Sequence, residues 1–143
     1  MKDLQELYGL AAQLNIAVDY FPMKKREALA IMDTDGTCAI AIDPHKLQGE
    51  ADERNKLSHE LGHCCTGSFY NEYSLYDCRQ RHENRADKWA IEALIPVEEL
   101  DNAVAKGCCE IWELAEYFQV SEEFMKKAVC LYTHGNLAQD LYF

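Results

Sequence analysis

The most constraining feature of the chain is a segment without proline, from about Gly49 to Cys65, that runs into Gly67 and carries His59-Glu60-Leu61-Gly62-His63 in its second half. A proline-free stretch closed by glycine reads as one long helix. On such a helix, residues four apart differ by about 40° in direction, so His59 and His63 leave the same face and can hold one metal ion. Glu60 lies beside the pair rather than between its members, which suits a general base acting on water better than a ligand. The competing reading is an accidental H-E-x-x-H with solvated histidines. Cys64 follows a histidine directly, but five positions after His59 it is rotated by about 140° and faces away from the metal side.

The rest of the chain sets a frame around this helix. Leu4, Leu7, Ala11 and Leu14 recur at helical spacing and predict a helix over residues 2–14. Three short β-type runs follow, at 16–21, 27–33 and 37–43, and Asp33-Thr34-Asp35-Gly36 predicts a hairpin between the last two. Beyond the long helix, a second is expected from near Asp77, as its cap, to before Pro96. Pro96 opens a third that runs to Lys106 and Gly107. Ile111, Leu114, Ala115 and Phe118 suggest a fourth, and Ser121 caps a fifth ending at Gly135. The order predicts an α+β fold, with an N-terminal helix and a small antiparallel sheet packed on a helical core that carries further C-terminal helices.

A catalytic site built on two histidines needs a third protein ligand and an open position for water. Glu83 lies twenty residues after His63, and Asp87 shares its helical face four residues later. Such a pair lets one carboxylate bind the metal while the other accepts a hydrogen bond from a ligand imidazole. Ala86 and Ala90 lie near that face, and with Gly62 opposite them the two helices can approach closely. The alternative is a solvated face whose carboxylates pair with Arg85 or Lys88.

Lys56 to Gly62 reads KLSHELG and Glu83 to Pro96 reads ENRADKWAIEALIP, and together these resemble the ImmA/IrrE family of zinc metallopeptidases. That resemblance implies a zincin-like core in which His59, His63 and Glu83 bind Zn2+, Glu60 is the catalytic base and Asp87 orients a ligand. It is strongest over about residues 56–96. The order before the motif and the stretch Leu114 to Ser121 are also similar to the family's minimal catalytic domain. Ala93-Leu94-Ile95-Pro96 replaces the commoner Leu-Leu-Met-Pro, a packing change that touches no ligand. The chain is expected to form a single metallopeptidase domain over 1–143, with the zinc-site core at about 49–96 and a C-terminal helical portion at about 97–143. The resemblance further implies a bacterial, often prophage or mobile-element setting, with a helix-turn-helix transcriptional repressor as the substrate. Two other classes compete: a non-proteolytic regulatory binding protein that retains the zinc site, and a domain in which zinc is only structural.

Composition narrows the partners. Lysine and arginine number 14 against 25 aspartates and glutamates, a formal charge of −11, and a field of that sign repels phosphate backbones and anionic lipid. Neither direct nucleic-acid binding nor membrane binding is expected. The stretch Glu113 to Tyr132 has the look of a helix-turn-helix, but in so acidic a chain it is read as packing or partner recognition. No apolar run approaches the roughly 20 residues that span a bilayer, and Asp3 and Glu6 interrupt any early hydrophobic stretch, so a cytoplasmic location is expected. The seven cysteines form no C-x-x-C and are read as reduced thiols. An oxyanion donor is sought among Tyr70, Tyr73, Tyr76 and His82, whereas His45 and His134 are read as surface residues.

Overall fold

A computed structural model describes residues 1–70 and 74–135. The chain begins with α1 (Leu4–Gln13), followed by strands β1 (Ala17–Tyr20), β2 (Ala28–Met32) and β3 (Cys38–Ile42). A single 3-10 turn at Pro44–Lys46 leads to α2 (Glu50–Thr66), α3 (Tyr76–Leu94), α4 (Val97–Ala105), α5 (Ile111–Phe118) and α6 (Glu122–His134). This is the α+β arrangement expected from the sequence. Asp3 caps α1 by accepting from the Glu6 amide, and Ser121 caps α6 by accepting from the Phe124 amide. Gly67 and Gly135 end α2 and α6 at positive φ, 66° and 77°, a region that suits glycine.

Three expectations are corrected. The sheet is mixed, not antiparallel: β2 and β3 form the antiparallel hairpin, but β1 runs parallel to β3, giving the order β1-β3-β2. β3 takes the centre because its alternate residues Cys38, Ile40 and Ile42 are buried, whereas β1 and β2 are largely open. Leu14 leaves the apolar stripe of α1; it is the C-cap, 48% exposed, because Asn15 adopts φ 58° and turns the chain toward β1. α3 starts one residue before Asp77, with Leu75 at the cap position.

The sheet, α1 and the helices share one core, in which Leu7, Ile40, Ile42, Leu57, Leu61, Ile91 and Phe118 are almost wholly buried. Burial of each such side chain is worth about 1.5–3 kcal/mol. At the centre, α2 crosses α3 with no side chain between them at Gly62. A Cβ there would lie 2.5 Å from the Ala86 carbonyl oxygen and 2.9 Å from its Cα. Arg54, also buried, donates from α2 to the carbonyl oxygens of Phe118 and Gln119 and so ties down the open end of α5. The C-terminal helix pair therefore packs on the core as expected. Among the described residues no helix is long and apolar enough to cross a membrane.

Candidate metal centre

The close α2–α3 crossing places three predicted ligands at one point. One ligand atom each from His59, His63 and Glu83 lies within 4.8 Å of the others. His59 Nε2 is 3.0 Å from one Glu83 oxygen, and His63 Nε2 is 3.1 Å from the other. Atoms bound tetrahedrally at about 2.0–2.1 Å from one zinc ion lie about 3.3 Å apart, so the two histidine–carboxylate separations match that spacing, and a cluster spread over up to 4.8 Å must contract to share one ion.

The outward nitrogens are also engaged. His59 Nδ1 is 2.8 Å from Asp87 Oδ1, and His63 Nδ1 is 2.5 Å from the carbonyl oxygen of Ser68. An acceptor at each Nδ1 keeps a proton there and directs the Nε2 lone pair inward, the tautomer that a metal requires. Asp87 thus has the geometry expected of a ligand-orienting carboxylate. Its other oxygen is 3.2 Å from Lys127 Nζ on α6.

Without metal, the Glu83 carboxylate favours protonation of both imidazoles at the inner positions. Burial alone would lower the pKa of His59, but hydrogen bonds to Asp87 and Glu83 outweigh it and raise the value to about 10. Burial opposes ionisation of Glu83 as well, yet the bonds from His59 and His63 hold it well below the usual carboxylate range. A dication that replaces the Nε2 protons meets the same carboxylate.

Glu60 is 9% exposed and lines the cleft together with the three cluster residues. Burial raises its pKa, and the neighbouring His59 and His63 pull the other way without reversing the shift. A carboxylate moved toward neutrality is better matched to proton transfer at neutral pH. The cleft encloses ≈ 520 Å³. Its lining includes Ala28 to Ala30 of β2 with Arg26 just before them, Lys56 of α2, and Phe124 and Lys127 of α6.

Of the four oxyanion candidates, Tyr70 lines the cleft. Burial and then the charge of Glu83 and a hydrogen bond to it raise the Tyr70 pKa, which keeps its hydroxyl a proton donor. His82 stacks on Tyr70 with ring centroids 6.2 Å apart but is not among the residues lining the cleft. Tyr73 and the side chain of Tyr76 lie outside the described residues. His45 and His134 are exposed, as expected. Cys64 lies outside the cluster and lines a different cavity with Cys38 and Cys65, and all seven cysteines are free.

The sequence profile of the peptidase M78 family, described as the IrrE N-terminal-like domain, matches residues 11–129. The chain belongs to that family. The matched span holds every residue of the cluster, and it extends through most of α6. No curated protein matches the chain. Within an M78 peptidase, the His-His-Glu cluster that could hold a metal supports a metallopeptidase role.

Two parts of the site escaped the sequence reading. The Ser68 carbonyl carries no signal, since every residue has one. Lys127 carries no signal in the sequence either, because 40 residues separate it from Asp87 and only the docking of α6 brings the two together.

Proposed function

We propose that the chain is a zinc-dependent endopeptidase that cleaves a helix-turn-helix transcriptional repressor of a prophage or mobile element. The observation that carries the enzymatic part is the arrangement of Glu60, buried beside a three-ligand cluster at the base of an open cleft. Three protein ligands leave a coordination position for water or substrate, as catalytic rather than structural zinc sites do. Zinc held by His59, His63 and Glu83 supplies Lewis acidity toward the scissile carbonyl and toward an attacking water. Glu60 takes the proton from that water at its carboxylate and gives it to the departing amine nitrogen. The Tyr70 hydroxyl donates a hydrogen bond to the oxygen that gains charge.

The sheet supports a peptide as substrate. Asp43 donates its amide to the Glu27 carbonyl, and Asp33 donates its amide to that of Thr37, which fixes the alternation of bonded pairs along the hairpin. By that alternation, Leu29 and Ile31 bond to β3, whereas Ala28 and Ala30 turn their backbone groups to the free edge of β2. Ala28 and Ala30 also line the cleft, so an extended chain can add to this edge and run past Glu60. The acidic surface is suited to docking a basic DNA-binding protein, and a repressor is such a protein.

The test is co-expression with a helix-turn-helix repressor from the same genetic element, read by intact mass. Two repressor fragments are expected with the native chain and none with Glu60→Gln, which removes a base worth about 10²–10⁴-fold in rate. Zinc is expected at one per chain in both. An intact repressor in both, with zinc bound, overturns the substrate assignment; fragments in both overturn the role of Glu60.

A further inference from the structure

Asp87 uses its two oxygens in different directions. Oδ1 is 2.8 Å from His59 Nδ1, and Oδ2 is 3.2 Å from Lys127 Nζ. Lys127 is held on both sides along its helix. Ser121 fixes the start of α6, Phe124, Met125, Ala128 and Leu131 bury its inner face, and the Tyr132 hydroxyl donates to the Ile95 carbonyl oxygen at 2.6 Å. These anchors set the rotation of α6 and direct Lys127 at α3. The Asp87 side chain is only 16% exposed and that of Lys127 28% exposed, so the contact is drawn partly out of solvent.

We propose that Lys127 is a positioning residue of the metal site: it pins Asp87 Oδ2 so that Oδ1 stays aligned with His59 Nδ1, and it thereby makes α6 part of the metal centre. The proposal rests on the reading of His59, His63 and Glu83 as metal ligands. A carboxylate gripped at one oxygen cannot turn about its own axis without giving up that partner. Released, Asp87 is free to rotate, and the His59 ring loses the acceptor that fixes its tautomer and tilt. Lys127 also supplies a countercharge. Its direct repulsion of the metal is weak by comparison, because Asp87 and the His59 ring stand between them and solvent screens the ammonium.

The experiment measures the zinc affinity of the full chain by competition with a chromophoric chelator, independently of peptidase activity. Asp87→Ala is expected to weaken zinc binding about 10–100-fold. Lys127→Met is expected to weaken it about 10-fold through the same contact, and Lys127→Arg, which keeps charge and donor, to stay within about 2-fold of the native chain. In an Asp87→Ala background, Lys127→Met should cause no further loss, whereas a general packing role would persist there. Native-like or tighter binding by Lys127→Met overturns the proposal, as does a further 10-fold loss in the Asp87→Ala background. A native chain that binds no zinc contradicts the ligand reading itself, an outcome distinct from failure at Lys127 alone.

Discussion

The two histidines stand side by side on α2 yet are held in opposite ways. His63, with its side chain 8% exposed, gives its Nδ1 proton to the backbone of Ser68, five residues on and just past the Gly67 cap. His59, 25% exposed, relies on a side chain from another helix, and that side chain relies in turn on Lys127 of α6. One half of the site is made by local chain geometry. The other half forms only when α2, α3 and α6 are assembled. The lesson is that the Nδ1 anchor of His59 can be tuned or lost through single side chains, whereas that of His63 depends on the path of the backbone.

The largest perturbation should remove the contrast altogether. Gly62→Ala drives a Cβ to 2.5 Å from the Ala86 carbonyl oxygen, so α3 must move and carry Glu83 away from both histidines at once. Overpacking of this kind costs about 1–3 kcal/mol, and urea unfolding with a parallel zinc titration should show both stability and affinity reduced. Unchanged stability would mean that the helices are not in direct contact there.

A smaller change should expose the asymmetry. Asp87→Ala is expected to lower zinc affinity about 10–100-fold, while Ser68→Ala, which keeps the accepting carbonyl, should leave it within about 2-fold. Equal losses from the two would break the comparison.

The mildest test uses pH on the metal-free protein. The raised pKa of His59 contributes stability that is complete below its ordinary 6.5 and is lost as pH rises through about 10. The depressed pKa of Glu83 contributes stability present above its ordinary 4.5 and lost as pH falls toward its folded value. Resistance to urea should therefore be greatest between pH 4.5 and 6.5 and decline on either side. Zinc should flatten the alkaline decline, because it takes the place of the Nε2 protons, and its affinity should increase with pH. Metal-free stability that climbs from neutral to alkaline pH would contradict the proton inventory of the cluster.

Much of the site was legible because helical periodicity is local. His59 and His63 at i, i+4 on one helix and Glu83 and Asp87 at i, i+4 on another each define a face, and Gly62 opposite Ala86 marks where the faces meet. The helix starts and stops at Ser121, Gly67 and Gly135 were likewise readable from capping chemistry. What failed was non-local. The parallel pairing of β1 with β3 skips an entire strand, and nothing in Ala17–Tyr20 specifies its partner. The free edge of β2 at Ala28 and Ala30 follows from that same strand order. Leu14 fitted the apolar period of α1 but lay one residue past its end, where Asn15 turns the chain. Lys127 was one surface-like lysine until α6 was docked.

Under the proposed function, two imidazoles and one carboxylate hold a catalytic metal at the α2–α3 crossing. X-ray absorption at the zinc edge of the zinc-loaded protein tests it most directly. One zinc per chain with only nitrogen and oxygen neighbours at about 2.0–2.1 Å, and loss of that signal in His63→Ala, is the predicted result. Sulfur neighbours at about 2.3 Å would assign the metal to the cysteines and contradict the account.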